Sequence, residues 1–371
     1  MPLNPAAVPR FHRLEIAAVR QETAQAIVVT FVVPPGLAPA YAFRAGQYLT
    51  LRTVLDGEEV RRAYSICAGE TDGTLRIAIK QVEGGRFSAW AQAALRPGVA
   101  IEVMTPTGRF GIPPDPPGPR VHVAFAAGSG ITPVLSILKT VLAREPDSHF
   151  FLFYGSRATA EIMFREEIED LKDRHLGRLS VFHVLSQERQ DIAVLNGRLE
   201  RDKIDLLLRR LLGEAPIDHA YLCGPDGMRA EAAGALAALG VAPARVHEER
   251  FASALDGRPR AAHDGRPQAV PKPAPDAAPW AIARVIVDGR RTDVPVAEGE
   301  AVLDAALRAG LDLPFSCRGG MCSTCRARLT EGSVAMAVNY ALERWETEAG
   351  FVLTCQARPT SPLVVVDYDR Q

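Results

Sequence analysis

Residues 317–325 read CRGGMCSTC, and three of the six cysteines in the chain, Cys317, Cys322 and Cys325, stand there at C-x4-C-x2-C spacing. A further 29 residues separate Cys325 from Cys355. Thiolates are soft ligands suited to iron and zinc. Zinc sites usually group their ligands in two short knuckles, whereas here three cysteines cluster and the fourth stands alone. C-x4-C-x2-C…C is the spacing with which four thiolates hold a [2Fe–2S] cluster. The loop must wrap closely around such a group, and Gly319 and Gly320 allow positive φ and close approach. The expected ligands are therefore Cys317, Cys322, Cys325 and Cys355, with zinc or purely structural thiols as the alternative. Cys67 and Cys223 lie far from this loop in the sequence.

Other short runs carry residue types suited to binding. AGSGITP (127–133) stands between an apolar run and a helical pattern. Gly128 and Gly130 permit close backbone approach, and the N-terminus of the helix that follows, with Thr132 and Pro133 in its first turn, suits a pyrophosphate. Pro133 stands where the third glycine of G-x-G-x-x-G would be, so this is not the usual dinucleotide fingerprint. YGSR (154–157) closes the next apolar run. Ser156 and Arg157 there take the position where an adenosine ribose would lie, and Arg157 suits a 2′-phosphate where an acid would suit a free 2′-OH. NADPH is thus expected ahead of NADH. LCGPDGM (222–228), HEERF (247–251), RAYS (62–65) and GGRFS (84–88) are each unremarkable alone. Cys223 reads equally as a buried small apolar residue, and Glu249 as a surface charge.

The elements that must position these runs follow from periodicity. Short alternating runs from RLEIAAVRQET to AIEVMTP suggest an all-β barrel. After PPDPPGPR (113–120), apolar strands alternate with helical patterns, as in a parallel sheet covered by helices. Residues 252–281 hold six prolines and no periodic pattern, and read as a linker. Beyond it, a hairpin at IARVIVDG and RTDVPV, a helix ending at Gly310, and short strands at CRARLT, FVLTC and PLVVVDY describe a small α+β domain. The expected domains are 10–114, 119–251 and 282–371, joined by the 252–281 linker. The fold class is multidomain, α+β and α/β.

In their order, RAYS, GGRFS, AAGSGITP, LCGP and HEERF resemble the ferredoxin–NADP reductase family across nearly all of residues 10–251. The last 90 residues are similar to plant-type ferredoxins of β-grasp fold. The resemblance implies an antiparallel FAD-binding barrel, a nicotinamide-binding α/β domain and a ferredoxin domain. It assigns FAD to Arg62, Ala63, Tyr64, Ser65, Ile79, Lys80, Gln81, Gly85, Arg86, Phe87, Ser88 and Phe251. Arg62 offers a planar fork for the pyrophosphate and Tyr64 a ring against the flavin. The turn at Gly85–Ser88 would bring N–H groups to the phosphates at a helix start. The nicotinamide nucleotide falls to Gly128, Gly130, Thr132, Ser156, Arg157, Cys223, Gly224, Pro225 and Met228, with Ser65, Cys223 and Glu249 beside the reacting atoms.

A fused C-terminal cluster marks the branch of that family that serves oxygenases. RRAYSIC, FAAGSGITPVLSILKT and the long run from LFYGSRATAE look most like the reductase subunits of ring-1,2-phenylacetyl-CoA epoxidase complexes, which implies a di-iron oxygenase as partner. Reductases of 3-ketosteroid hydroxylases and similar Rieske or di-iron oxygenases share these motifs. The implied path is NADPH to FAD to [2Fe–2S] to an external acceptor. A pure ferredoxin-type carrier and a reductase releasing free flavin are the other classes.

Composition sets limits on partners. A net charge of −1 over 371 residues argues against nucleic acid or an anionic membrane surface. No run of 18 apolar residues is present, and MPLNPAAVPR lacks the features of a secretory signal. A cytoplasmic protein is expected, where disulfides are rare.

Overall fold

The computed structural model describes residues 8–113, 118–213, 215–251 and 279–370, so nearly all of the proline-rich stretch read as a linker lies outside the described residues. The chain forms two compact units. One is His12–Val60 with Tyr64–Phe251, and the other joins the N-terminal stretch to Phe11 and Arg61–Ala63 with the residues from 252 onward.

The first unit opens with six antiparallel strands. They are β1 (Phe11–Thr23), β2 (Ala26–Val32), β3 (Tyr48–Leu55), β4 (Glu58–Ser65), β5 (Leu75–Lys80) and β6 (Ala100–Met104), with helix α1 (Arg86–Ala94) between the last two. The sheet runs β4-β3-β6-β1-β2-β5. Its two edges meet where Ile66 bridges Ile77 and the Cys67 N–H donates to the Arg76 carbonyl at 3.0 Å, which closes the barrel the sequence predicts. Alternate residues such as Leu14, Ile16, Leu49 and Leu51 fill its interior, as a period of two requires.

The second sheet is wholly parallel. Strands β7 (Val121–Ala127), β8 (His149–Ser156), β9 (Leu179–Leu185), β10 (His219–Cys223) and β11 (Val246–Glu249) take the order β11-β10-β7-β8-β9. Helices α2 (Ile131–Arg144) and α3 (Arg165–Arg174) bury Ala124, Ala126, Leu152 and Cys223 on one face. Helices α4 (Arg201–Leu212) and α5 (Asp226–Ala238) bury Val123, Phe125, Phe153 and Leu222 on the other. Strands covered on both faces read as continuous apolar runs, which is why β7, β8 and β10 were legible. Strand β11 and helix α4 were not. The first is four residues of charged composition, and the second buries only Ile204, Leu207 and Leu208 among its charges. Helix α3 also starts later than its pattern suggests, because Phe164 adopts φ 58° and donates its N–H to Glu22 at 2.6 Å. The two sheets share a core and an ion network in which Lys139 of α2 pairs with Asp72 and Glu167, and Glu167 also pairs with Arg76.

Near the amino end of β7, the buried His122 stacks on Phe150 and Tyr221, and its Nε2 lies 2.9 Å from Glu145, which Arg120 and Ser148 also contact. Burial alone would raise the Glu145 carboxyl. Hydrogen bonds with His122 and Ser148 and the charges of His122 and Arg120 outweigh it and bring the group down to about 2. A carboxylate depressed in the folded state contributes stability that is complete above its ordinary value of 4.5 and is lost as pH falls toward 2. Glu145→Gln should therefore lower Tm at neutral pH, with the gap closing as pH falls through that window. A gap of constant size down to the bottom of the window would mean the loss is one of packing.

The second unit is built on a mixed sheet. Its elements are β12 (Ala281–Val287), β13 (Arg290–Val296), α6 (Val302–Arg308), β14 (Arg326–Glu331), β15 (Val334–Met336), α7 (Arg344–Glu348), β16 (Phe351–Leu353), β17 (Ala357–Pro359) and β18 (Leu363–Asp367). The sheet order is β13-β12-β18-β14-β16, with β12 parallel to β18 and antiparallel to β13. This is the expected β-grasp arrangement, with an unforeseen small ladder of β15 and β17. Among the described residues no helix is long and apolar enough to cross a membrane.

Candidate functional site

The parallel sheet reverses its strand order between β7 and β10. Ligands of such sheets bind at that switch point, at the carboxyl ends of the strands. The turns that leave those two strands are AGSG and CGP, so two motifs far apart in sequence meet. A Cβ at Gly130 would lie 2.1 Å from the Cys223 carbonyl oxygen, so only glycine fits. The loop is pinned from both sides: the Tyr154 hydroxyl donates to the Gly128 carbonyl at 3.0 Å, and the Thr132 hydroxyl donates to the Ser129 carbonyl at 2.9 Å. A pyrophosphate could approach the N-terminus of α2 here without meeting a side chain on Gly128 or Gly130.

Cys223 is fully buried at the end of β10, in register with Ala126 on β7 and Glu249 on β11. Burial pushes its thiol well above the usual range, and the Glu249 charge adds to the shift. The thiol is therefore neutral and no nucleophile. The sequence reading missed Arg229. It is 2% exposed, its Nε donates to the Gly224 carbonyl at 3.2 Å, its Nη1 reaches Glu248 at 2.6 Å, and it also pairs with Asp226. It thus ties the CGP turn to the strand that carries Glu249. No motif announces it, since its partners only converge once β11 has joined the sheet. Pro225 precedes α5, Met228 lies in its first turn, and Phe251 is 41% exposed just beyond β11.

Ser156 closes β8 and Arg157 follows it. Lys80, assigned with Ile79 and Gln81 to the flavin, directs its amine toward the turn that follows Arg157: Nζ lies 3.9 Å from a Glu161 oxygen.

RAYS forms the end of β4. Tyr64 is half-buried, with its ring centroid 5.8 Å from that of Phe87 in α1, so RAYS and GGRFS also come together. Ser65 is buried, while Arg62 and Ala63 are exposed. Gly85 stands at the start of α1, and no side-chain cap satisfies the first N–H groups of that helix. Ser88 instead stabilises the turn, accepting the Val82 N–H at 3.1 Å and donating to the Gly85 carbonyl at 3.1 Å. Uncapped N–H groups at the start of α1, with the half-buried Tyr64 ring against Phe87 of the same helix, fit a flavin nucleotide. The Arg86 guanidinium is engaged elsewhere, with Glu58 at 2.8 Å and Asp56 at 3.0 Å.

Among the described residues no three or more His, Cys, Asp or Glu side chains are arranged around a single metal ion. The four loop thiols stand as two pairs instead, Cys317 with Cys322 and Cys325 with Cys355. A binuclear cluster would take two thiolates on each iron, as this pairing offers. In each pair the hydrogen bond holds one thiol low and its partner high, Cys322 at about 6 and Cys355 also lowered. N–H donors surround the sulfurs: Gly319 and Met321 reach Cys317 at 3.3 and 3.4 Å, and Cys317 reaches Cys322 at 3.4 Å. The Thr324 hydroxyl donates to Cys322 at 3.2 Å. The loop is bent by left-handed residues, Gly320 at φ 73° and also Arg318 and Ser323 at 51°, conformations that persist only when the surroundings impose them. Thr354 donates to the Cys325 carbonyl at 2.9 Å and meets the buried Tyr368 hydroxyl at 2.7 Å, while Gln356 holds the Arg318 carbonyl at 2.8 Å. These three supports were not read from the sequence.

Residues 22–112 match the oxidoreductase FAD-binding domain family, 125–233 the oxidoreductase NAD-binding domain, and 285–360 the 2Fe-2S iron-sulfur cluster binding domain. One subunit of the 1,2-phenylacetyl-CoA epoxidase from Escherichia coli K12 is 43% identical over 97% of this chain and 98% of its own. The chain belongs to the ferredoxin–NADP reductase family, in the branch with a C-terminal [2Fe–2S] domain. Within that family, the ferredoxin reductase component of 3-ketosteroid-9-alpha-monooxygenase from Mycobacterium tuberculosis is 35% identical over 96% of this chain and 95% of its own. The fold is that of phthalate dioxygenase reductase, with TM-score 0.57 and 23% identity, covering 96% of this chain and 98% of that one. The chain is an NAD(P)H oxidoreductase with FAD-, nicotinamide- and [2Fe–2S]-binding domains.

Proposed function

We propose that this reductase takes electrons from NADPH and delivers them through FAD and the cluster to a di-iron oxygenase of the phenylacetyl-CoA epoxidase type. One observation carries the reading: a nicotinamide crevice and a paired four-thiol loop occur in one chain. When bound, a flavin would supply the chemistry that joins two-electron hydride donation by a nicotinamide to single-electron delivery. The chain's residues orient these groups. Gly128, Gly130, Thr132 and Gly224 shape the nucleotide loop, Cys223 offers a neutral flank, and Glu249 stands beside it. Arg62, Tyr64, Ser65, Gly85, Phe87 and Ser88 would hold the flavin, and the four loop cysteines would hold the cluster. The same reading sets the protein in the cytoplasm, where its free thiols stay reduced.

Arg157 supports NADPH, with its guanidinium pairing with the 2′-phosphate. A hydrogen bond to a charged group contributes about 1.5–3 kcal/mol. Arg157→Ala should therefore raise KM for NADPH roughly 10–100-fold and leave NADH nearly untouched. Equal losses with both nucleotides would assign Arg157 to the fold. The partner is tested by reconstitution: NADPH-driven epoxidation of phenylacetyl-CoA with the di-iron subunits is the expected result. Coupling only to a 3-ketosteroid hydroxylase, the second reading that the 35% identical relative favours, would replace it.

A further inference from the structure

Arg157 does not face the ribose end alone. Its Nε and Nη2 both reach one oxygen of Glu161, at 2.8 and 2.7 Å, and Nη2 also contacts Gln25 at 3.3 Å. Lys80 Nζ lies 3.9 Å from the same Glu161 oxygen. Burial lowers the Lys80 amine, and the Glu161 charge opposes that shift. One carboxylate is thus shared by two cations where strand β8 ends. Glu161 lies in a short turn of 3-10 helix, so the i,i+4 pair with Arg157 does not arise from an α-helical face. The pair is partly exposed, with side chains 49% and 29% accessible, and exposed pairs of this kind contribute little to stability. Its place beside the candidate nucleotide loop gives it another use.

We infer that Glu161 sets the balance between NADPH and NADH by competing with the 2′-phosphate for Arg157. The inference rests on the reading of Ser156 and Arg157 as the adenosine-ribose end. A phosphate drawn to this guanidinium has to share it with a carboxylate of like charge, which weakens its binding. A ribose 2′-OH is a hydrogen-bond donor, and a carboxylate at this position accepts it. Glu161 therefore acts against one nucleotide and for the other. Without its charge, Arg157 and Lys80 would both face the ribose end as unbalanced cations. The selectivity of the site is then a property of the Arg157–Glu161 pair, and it is more even than Arg157 alone would give.

The test uses the full-length holoprotein and two probes without a nicotinamide, adenosine 2′,5′-bisphosphate and adenosine 5′-diphosphate, titrated by calorimetry. Glu161→Gln should bind the 2′,5′-bisphosphate about tenfold more tightly, with a steeper dependence on salt. The 5′-diphosphate should bind equally or up to about threefold more weakly. Glu169→Gln removes the same charge from α3, where Glu169 pairs with Arg165, and should leave the ratio of the two affinities unchanged. A Glu161→Gln ratio equal to that of wild type, or a shift matched by Glu169→Gln, overturns the inference. Arg157→Ala separates the two levels. If it lowers the ratio while Glu161→Gln fails to raise it, the role of Glu161 falls and NADPH stands. If Arg157→Ala leaves the ratio intact, the placement of the ribose falls, and the inference falls with it.

Discussion

Cys322→Ser should abolish cluster assembly and leave the flavin in place. Cys322 accepts hydrogen bonds from the Cys317 N–H and the Thr324 hydroxyl, and in the proposed function it would share one iron with Cys317. Serine replaces a soft thiolate by a hydroxyl that stays protonated near neutral pH, and an iron with one thiolate is poorly held. Iron and acid-labile sulfide should fall from about two of each per chain toward zero. NADPH–ferricyanide activity, which needs only the flavin, should persist, because Tyr64, Ser65, Gly85, Phe87 and Ser88 all belong to the other compact unit. Cytochrome c reduction should fall by roughly 100-fold or more, since it requires single-electron delivery. Loss of FAD from Cys322→Ser would refute the independence of the two units.

Gly130→Ala should be nearly as damaging, on the opposite side of the electron path. A Cβ there would stand 2.1 Å from the Cys223 carbonyl oxygen and 2.6 Å from its carbon. Both are main-chain atoms at the end of a central strand, so no side-chain rotation relieves the clash. The two turns must part, and displacement of a reacting group by about 1 Å costs on the order of 100-fold in rate. kcat/KM for NADPH with ferricyanide should drop by about that factor, while flavin and iron contents match wild type. Wild-type kcat/KM in a variant of normal cofactor content would show that AGSG and CGP do not need their close approach.

What the sequence disclosed and what it withheld follow one physical division. The cysteine loop was legible because its ligand spacing is fixed by the geometry of the group it holds. The barrel and the central parallel strands were legible because burial imposes a period on residues such as Leu14 and Ile16, or a continuous run such as Val121–Ala127. Strand β11 is an edge of four residues with two glutamates, and carries no such period. Arg229, Tyr368 and the Arg157–Glu161 pair were hidden for another reason. Each works through partners that only the folded chain supplies: Glu248 for Arg229, Thr354 for Tyr368, and Lys80 for Glu161. Gly130 is intermediate: a glycine is visible in AGSG, but its reason, the Cys223 carbonyl, is not.

The meeting of those two turns also bears on how the protein matures. The chain lays down β7 in the middle of the sheet, builds outward through β8 and β9, and only then returns to place β10 against β7. Closing so long a loop has an entropic cost that local contacts do not offset until β10 docks. Occupation of the crevice therefore reports completed synthesis of this domain, since a nascent chain that has emerged only as far as α4 already contains the whole AGSG turn yet has nothing for it to face. A nucleotide present during translation would act on the last step of assembly, by holding β10 and β11 in place once they arrive.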